Sequence, residues 1–401
     1  MRSQLYENQN SLFRHVVFGS DIINEATYMG VVNALQEYQL TKEVISYGGA
    51  NDGALMAFML AIGIPEKLMT NFLGGCDDQY KIHKYWNRDS FWSDIQMSTL
   101  QKSINLEQHP VALEIFKRLA EYKKYCLNNR KEWSKNIDET EVSRFLDIIR
   151  NIEKITFGEW GEFIENSESS FLNVTGIKHF SCAVTLMEPL EIEPVIFTSL
   201  PDNNFSRRSK NLTMISALVA SLAIPSSFPL AYLKDLDINC MCGGIFLNLP
   251  YSKDLYEEDM TLLLNKANDS MLRAFDTGVY SNFGELKKRA MTKLLNKECV
   301  ISEAYENFVP RIIIDKNVCL MGVKEHNANR NDEFDDSKIE KELLNNYEVA
   351  YFQTVKAITE DSLRAEQVIM DIDETEYGEF FEEMDSFKNN FFRRINETGV
   401  F

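Results

Sequence analysis

The stretch Tyr47–Pro65, YGGANDGALMAFMLAIGIP, decides the fold. Two glycines close a short apolar run, and past Gly53 the chain carries no charge until beyond Pro65. A glycine-flanked turn that leads from a short run into an alanine- and leucine-rich one is a strand–turn–helix junction. Gly63 and Pro65 then stop the helix. Upstream, EVISY (Glu43–Tyr47) supplies the strand. Before it come HVVF (His15–Phe18), a buried first strand, and a helix around Thr27–Tyr38. This β-α-β-α order predicts a three-layer α/β/α sandwich on a mainly parallel sheet.

Beyond the junction the pattern changes. Residues 77–153 carry helical periodicity with almost no strand signal, as in HPVALEIFKRLAEYKKYCLNNRKEW and DETEVSRFLDIIRNIEKI. They are read as a helical insertion that caps the carboxyl edge of the sheet. HFSCAVTL and PVIFTSL restore strands, followed by a helix around Asn211–Ala223, a strand at INCMCGGIF, a helix over Glu257–Ala274 and the segment PRIIID (Pro310–Asp315). The domains expected are therefore an α/β domain over 1–330, with the insertion inside it, and an acidic, mostly helical C-terminal extension over 331–401.

Charge narrows the function classes. The 401 residues carry a net −19, and 19 Asp/Glu against 7 Lys/Arg place −12 of it after residue 330. Such a field repels a phosphate backbone, which argues against nucleic acid as a partner. No apolar run reaches the length of a membrane span, and the polar opening lacks a signal core, so a cytoplasmic location is expected. Seven scattered cysteines fit reduced thiols. Cys240 and Cys242 form a lone C-x-C without a second ligand pair, and the five histidines (15, 83, 109, 179, 326) show no ligand spacing. No metal and no cofactor are expected. The sequons at Asn173, Asn211, Asn268 and Asn396 are read as chance matches.

Two further segments, VASLAIPSSFP (Val219–Pro229) and CGGIFLNLP (Cys242–Pro250), follow the junction in order. With Asn51 and its flanking glycines they resemble the patatin-like phospholipase family over about Val16–Gly322. That family has a glycine-rich oxyanion loop, a G-x-S-x-G elbow, an A-S-x-A-x-P-x-x-F-P segment and a D-G-G/A-x-x-x-N-x-P segment. Ala220, Ser221, Ala223, Pro225, Phe228 and Pro229 match the third, and Gly243, Gly244, Asn248 and Pro250 the fourth. TFGEW (Thr156–Trp160) resembles a helix start of the family. The resemblance implies an acyl hydrolase fold whose serine and aspartate form a dyad.

The reacting positions depart from the pattern. Gly49 and Gly53 keep the room a sharp elbow needs, but the apex is Asn51. Asparagine tolerates positive φ, yet its amide offers no oxygen nucleophile for a base to activate. Asp52 is one residue off the apex, and its charge would oppose an oxyanion forming beside it. Cys242 stands where the aspartate belongs. With an ordinary pKa near ~8.5, a thiol is mostly neutral at pH 7 and a poor base. Counting back from Gly30, the oxyanion loop aligns with Ser20, Asp21, Ile22, Ile23, Asn24 and Glu25, where glycines and a basic residue are expected.

Loss of nucleophile, base and loop together points to a kept scaffold without hydrolysis. The expected role is a binding, scaffolding or structural component, with protein partners met through the insertion or the acidic tail. Two alternatives stay open: an active acyl hydrolase rearranged around Asp52 or Cys242, and a lipid or acyl-chain binder without turnover. A homo-oligomer is also compatible with the sequence.

Overall fold

The computed structural model describes residues 13–19, 25–65, 68–69, 109–187, 192–201, 203–223, 231–243, 250, 252, 255–256, 261–266, 319–323, 347–348, 350–352, 354–355 and 368–369. The chain divides into a unit Met1–Val368 and a second unit Ile369–Phe401. Among the described residues, the first unit holds every helix and eight of the nine strands. The proposed oxyanion loop at 20–24, the first part of the insertion (77–108), PRIIID and most of the acidic stretch lie outside the described residues.

A mixed sheet flanked by helices forms the centre. Its strands are β1 (His15–Phe18), β2 (Ser46–Gly49), β3 (His179–Met187), β4 (Ile192–Thr198), β5 (Ala231–Leu233), β6 (Ile238–Cys242), β7 (Thr261–Lys266) and β8 (Cys319–Val323), in the order β5-β6-β3-β2-β1-β7-β8 with β4 also on β3. A ninth, two-residue strand, β9 (Val368–Ile369), stands where the first unit ends. β8, β7, β1, β2 and β3 run parallel, while β4 and β6 are antiparallel to β3, and β5 to β6. The α/β class read from the sequence is the class observed.

HVVF is buried at all four positions, as suits a central strand with a parallel neighbour on each edge in a sheet flanked by helices. The strand expected at Glu43–Tyr47 instead spans Ser46–Gly49, and the two glycines take part in its pairing with β1 and β3. The helix expected over Glu257–Ala274 is corrected at its centre: Thr261–Lys266 is β7, paired to β1 and β8. A short apolar run such as Leu262–Leu264 suits a buried helix turn and a buried parallel strand equally, and sheet neighbours settle it.

The helices are α1 (Glu25–Glu37), α2 (Asp52–Ala61), α3 (Pro110–Trp133), α4 (Glu139–Arg150), α5 (Phe157–Glu165), α6 (Ser169–Thr175), α7 (Asn204–Ser209) and α8 (Met214–Leu222). Every residue of α2 from Gly53 to Ala61 is buried, as its uninterrupted apolar composition requires. α5 starts at a capping box in which Thr156 and Glu159 satisfy each other's backbone amides; this is the TFGEW signal. Phe180 on β3 takes Phe58 of α2 edge-on and Phe157 of α5 face-on. These rings lock both helices to the sheet.

α3 and α4 fall within the stretch 77–153 expected to be a helical insertion. His109 caps α3 by accepting from the Val111 amide, with Pro110 in the first turn. The contacts of α3 with α2 lie at the end away from Asn51: Tyr122 donates to the carbonyl of Ile62, and Arg118 donates to the Met59 sulfur at 3.6 Å. Farther along the chain, Tyr347 and Tyr351 sit in helical backbone that packs on α1. The Asn33 amide donates to the Tyr347 hydroxyl at 2.7 Å, and Tyr351 donates to Glu37.

Candidate functional site

β2 ends at Gly49, the chain turns through Ala50 and Asn51, and α2 begins at Asp52. Asn51 holds φ 53° and ψ −126°, outside the left-handed helical well and strained for any residue with a Cβ. Close approach explains the glycines. A Cβ on Gly49 would fall under 3.0 Å from the Gly53 carbonyl, and one on Gly53 under 3.0 Å from the Gly19 and Phe18 carbonyls. The Ala50 amide donates to Phe18 at 3.2 Å, which ties the turn to β1.

Strand register brings the second position to the same place. Along one edge of β3, β2 pairs as far as Gly49 opposite Cys182, and β6 takes over with Cys242 opposite Val184. β4 occupies the other edge throughout. β2 and β6 therefore meet end to end, with Gly49 and Cys242 about 7 Å apart along β3 at the usual rise per residue. A Cβ on Gly243 would fall under 3.0 Å from the Ala183 backbone, which lies between those two pairings.

The last turn of α8 bridges this junction. The Asn51 amide donates to Ser221 Oγ at 3.2 Å, and the Cys242 amide donates to the Ala223 carbonyl at 2.9 Å. Thr185 also donates to the Cys242 carbonyl at 3.1 Å. Thus the A-S-x-A part of VASLAIPSSFP fastens the elbow on one side and β6 on the other. Sequence reading matched Ser221 to a motif without seeing its task; only the fold places its hydroxyl under the Asn51 amide.

Asn51 and Cys242 are both fully buried, and each is hydrogen-bonded to the same end of α8. Asp52 opens α2 half-buried, in the first turn, where the helix dipole favours a carboxylate. Glu25 is the first residue of α1. Ser20, Asp21, Ile22 and Asn24 lie outside the described residues. Nearby Cys182 is buried, and desolvation pushes its thiol well above the usual range, which suppresses its reactivity.

A second polar group lies at the other end of the same strands. His15, Ser46 and His179 stand in register across β1, β2 and β3, with Thr261 of β7 on the far side of His15. His15 Nδ1 is 2.7 Å from Ser46 Oγ, and His179 Nδ1 is 3.3 Å from Ser199 Oγ. Burial, then the charges of Arg14 and His179, holds the His15 imidazole down at about 4. His179 is lowered to about 4 by burial, with a smaller lowering from Lys178 and an opposing hydrogen bond at Ser199. Set at the far end of the strands from the turn, these histidines are core groups with hydroxyl partners and do not face Asn51. Among the described residues no three His, Cys, Asp or Glu side chains are grouped to hold a metal ion, and no helix is long and apolar enough to cross a membrane.

No protein family matches the sequence, and no curated protein matches it. Among solved structures the chain is similar to VipD from Legionella pneumophila, at 15% identity and a TM-score of 0.44, over 88% of this chain and 67% of VipD. It is also similar to ExoU of the Pseudomonas aeruginosa type III secretion system, solved as a heterodimer with SpcU. That match has 15% identity and a TM-score of 0.48, over 89% of this chain and 53% of ExoU. The chain thus spans about half the length of ExoU. At these scores the class is read from the sheet itself: a mixed α/β protein with a strand–turn–helix elbow beside the end of an antiparallel strand.

Proposed function

We propose that this chain is a patatin-like protein that keeps the elbow as architecture and has no hydrolytic reaction, serving as a binding or scaffolding component. One observation carries the reading: the apex of the turn is a fully buried asparagine, and its backbone amide is directed to Ser221. A nucleophile has to reach substrate and needs a base that draws off its proton. Asn51 offers neither, and Cys242, also buried, is a thiol where a carboxylate would act.

Reading Asp52 as a substitute nucleophile places a negative charge at the helix start where an oxyanion would need donors. Protein partners, met through the insertion or the acidic C-terminal stretch, fit a scaffold better than turnover does. The test is a fluorophosphonate probe read by intact mass. No adduct is expected on the wild-type chain; one stoichiometric adduct, mapped to a single serine, would show an activated nucleophile and refute the proposal.

A further inference from the structure

α3 has two faces with seven-residue periodicity, and only one of them is packed. Ile115, Leu119, Tyr122 and Cys126 are buried against the domain. On the opposite side Leu113, Lys117, Ala120, Lys124, Leu127 and Lys131 follow one another at steps of four and three, and all six are exposed. Leu113 is 54% exposed and Leu127 47%; with Val174 they are the large apolar side chains left exposed among the described residues.

We propose that this face is a docking seam for an acidic helix of a partner protein. Such a helix would repeat an Asp or Glu every seven residues, with an apolar residue three or four positions on. Steps of four and three are the spacing at which one helix keeps a single stripe against another. In that register one seam position is Lys117, Lys124 and Lys131, and the other is Leu113, Ala120 and Leu127. From Leu113 to Lys131 the seam runs about 27 Å, at 1.5 Å per residue.

The charges select the partner. Lys117 pairs with Glu114 at 3.7 Å along its own helix, while Lys124 and Lys131 have no carboxylate within ion-pair reach among the described residues, in a chain whose net charge is −19. Three lysines at one seam position repel a second copy of α3, so the seam disfavours self-pairing and favours acids opposite. Flanking positions are already sorted: Glu114 and Glu121 lie along one side, Lys123 and Arg130 along the other. Lys123 is held by Glu153 and Arg130 by Glu139. That division sets the direction in which a charged helix lies. A lipid surface is the poorer match, because the apolar positions form a single file, narrower than the face an interfacial helix buries. The seam does not depend on whether the Asn51 site turns over a substrate.

The experiment uses the full chain and three labelled three-heptad peptides: one with Glu and Leu at the two seam positions, one with Lys replacing Glu, and a scrambled acidic peptide. Fluorescence anisotropy should show binding of the acidic peptide alone. Lys117→Glu/Lys124→Glu/Lys131→Glu should weaken it about tenfold or more and gain the lysine peptide, with a cooperative thermal melt retained. Leu113→Ser/Leu127→Ser should weaken both pairings. Equal binding of the scrambled peptide, no binding of the acidic one, or binding only to phosphatidylserine vesicles would overturn the seam.

Discussion

The backbone amide of Asn51 donates to the hydroxyl of Ser221 at 3.2 Å, so the last turn of α8 holds the strained apex between β2 and α2. Replacing Ser221 with alanine removes that acceptor from a fully buried amide. The expected cost is about 1–3 kcal/mol, read as a lower urea midpoint with an unchanged slope. Unaltered stability would mean that the turn does not depend on α8.

The glycines of the elbow are held by close approach. Gly49→Ala and Gly53→Ala each drive a methyl into backbone carbonyls, at an expected cost of about 3 kcal/mol. Gly176→Ala is the comparison. Its φ of 70° is unfavourable for alanine, but a Cβ meets nothing within 4 Å, so about 1 kcal/mol is expected. Equal losses in denaturant titrations of all three variants would contradict the close-approach account.

Acid should weaken the sheet at His15 and His179. Both imidazoles are lowered from the usual 6.5 to about 4, so the unfolded chain binds protons first as pH falls. Their contribution is present in full above pH 6.5 and is lost as pH falls toward 4, at about 3 kcal/mol for each histidine. Unfolding free energies measured between pH 7 and pH 4 should fall steeply for the wild type and less so for His15→Gln and His179→Gln. Parallel curves for all three would exclude these histidines as the cause.

Gly30 sets how closely residues 347–355 approach α1. A Cβ there would fall under 3.0 Å from the Tyr347 carbonyl and within 3.1 Å of the Tyr351 amide and the Ala350 side chain. Gly30→Ala should release that segment while the sheet stays folded. Hydrogen exchange would then rise at 347–355 with β1–β3 still protected; unchanged protection at 347–355 would argue against the contact.

Much of the fold was legible because burial leaves a local trace. HVVF reads as a strand from four apolar or enclosed positions, and Thr156 with Glu159 announces α5 three residues apart. Thr261–Lys266 did not, since three leucines fit a helix and a strand alike until β1 and β8 flank them. At the site, Gly49, Asn51 and Gly53 are contiguous enough to read as a turn. The meeting of β2 and β6 on β3, and the task of Ser221 some 170 residues from Asn51, depend on pairings between distant strands. Sequence spacing carries no record of them.

The central claim is that the elbow is kept without its reaction, and lipolysis tests it most directly. Purified full-length chain is incubated with phospholipid vesicles and with a short-chain ester, beside Asn51→Ala, Asp52→Ala and Cys242→Ala. The account predicts no release of fatty acid or alcohol above the Asn51→Ala background for any of them. Turnover by the wild type that disappears in Asp52→Ala or Cys242→Ala would contradict it and establish a rearranged hydrolase.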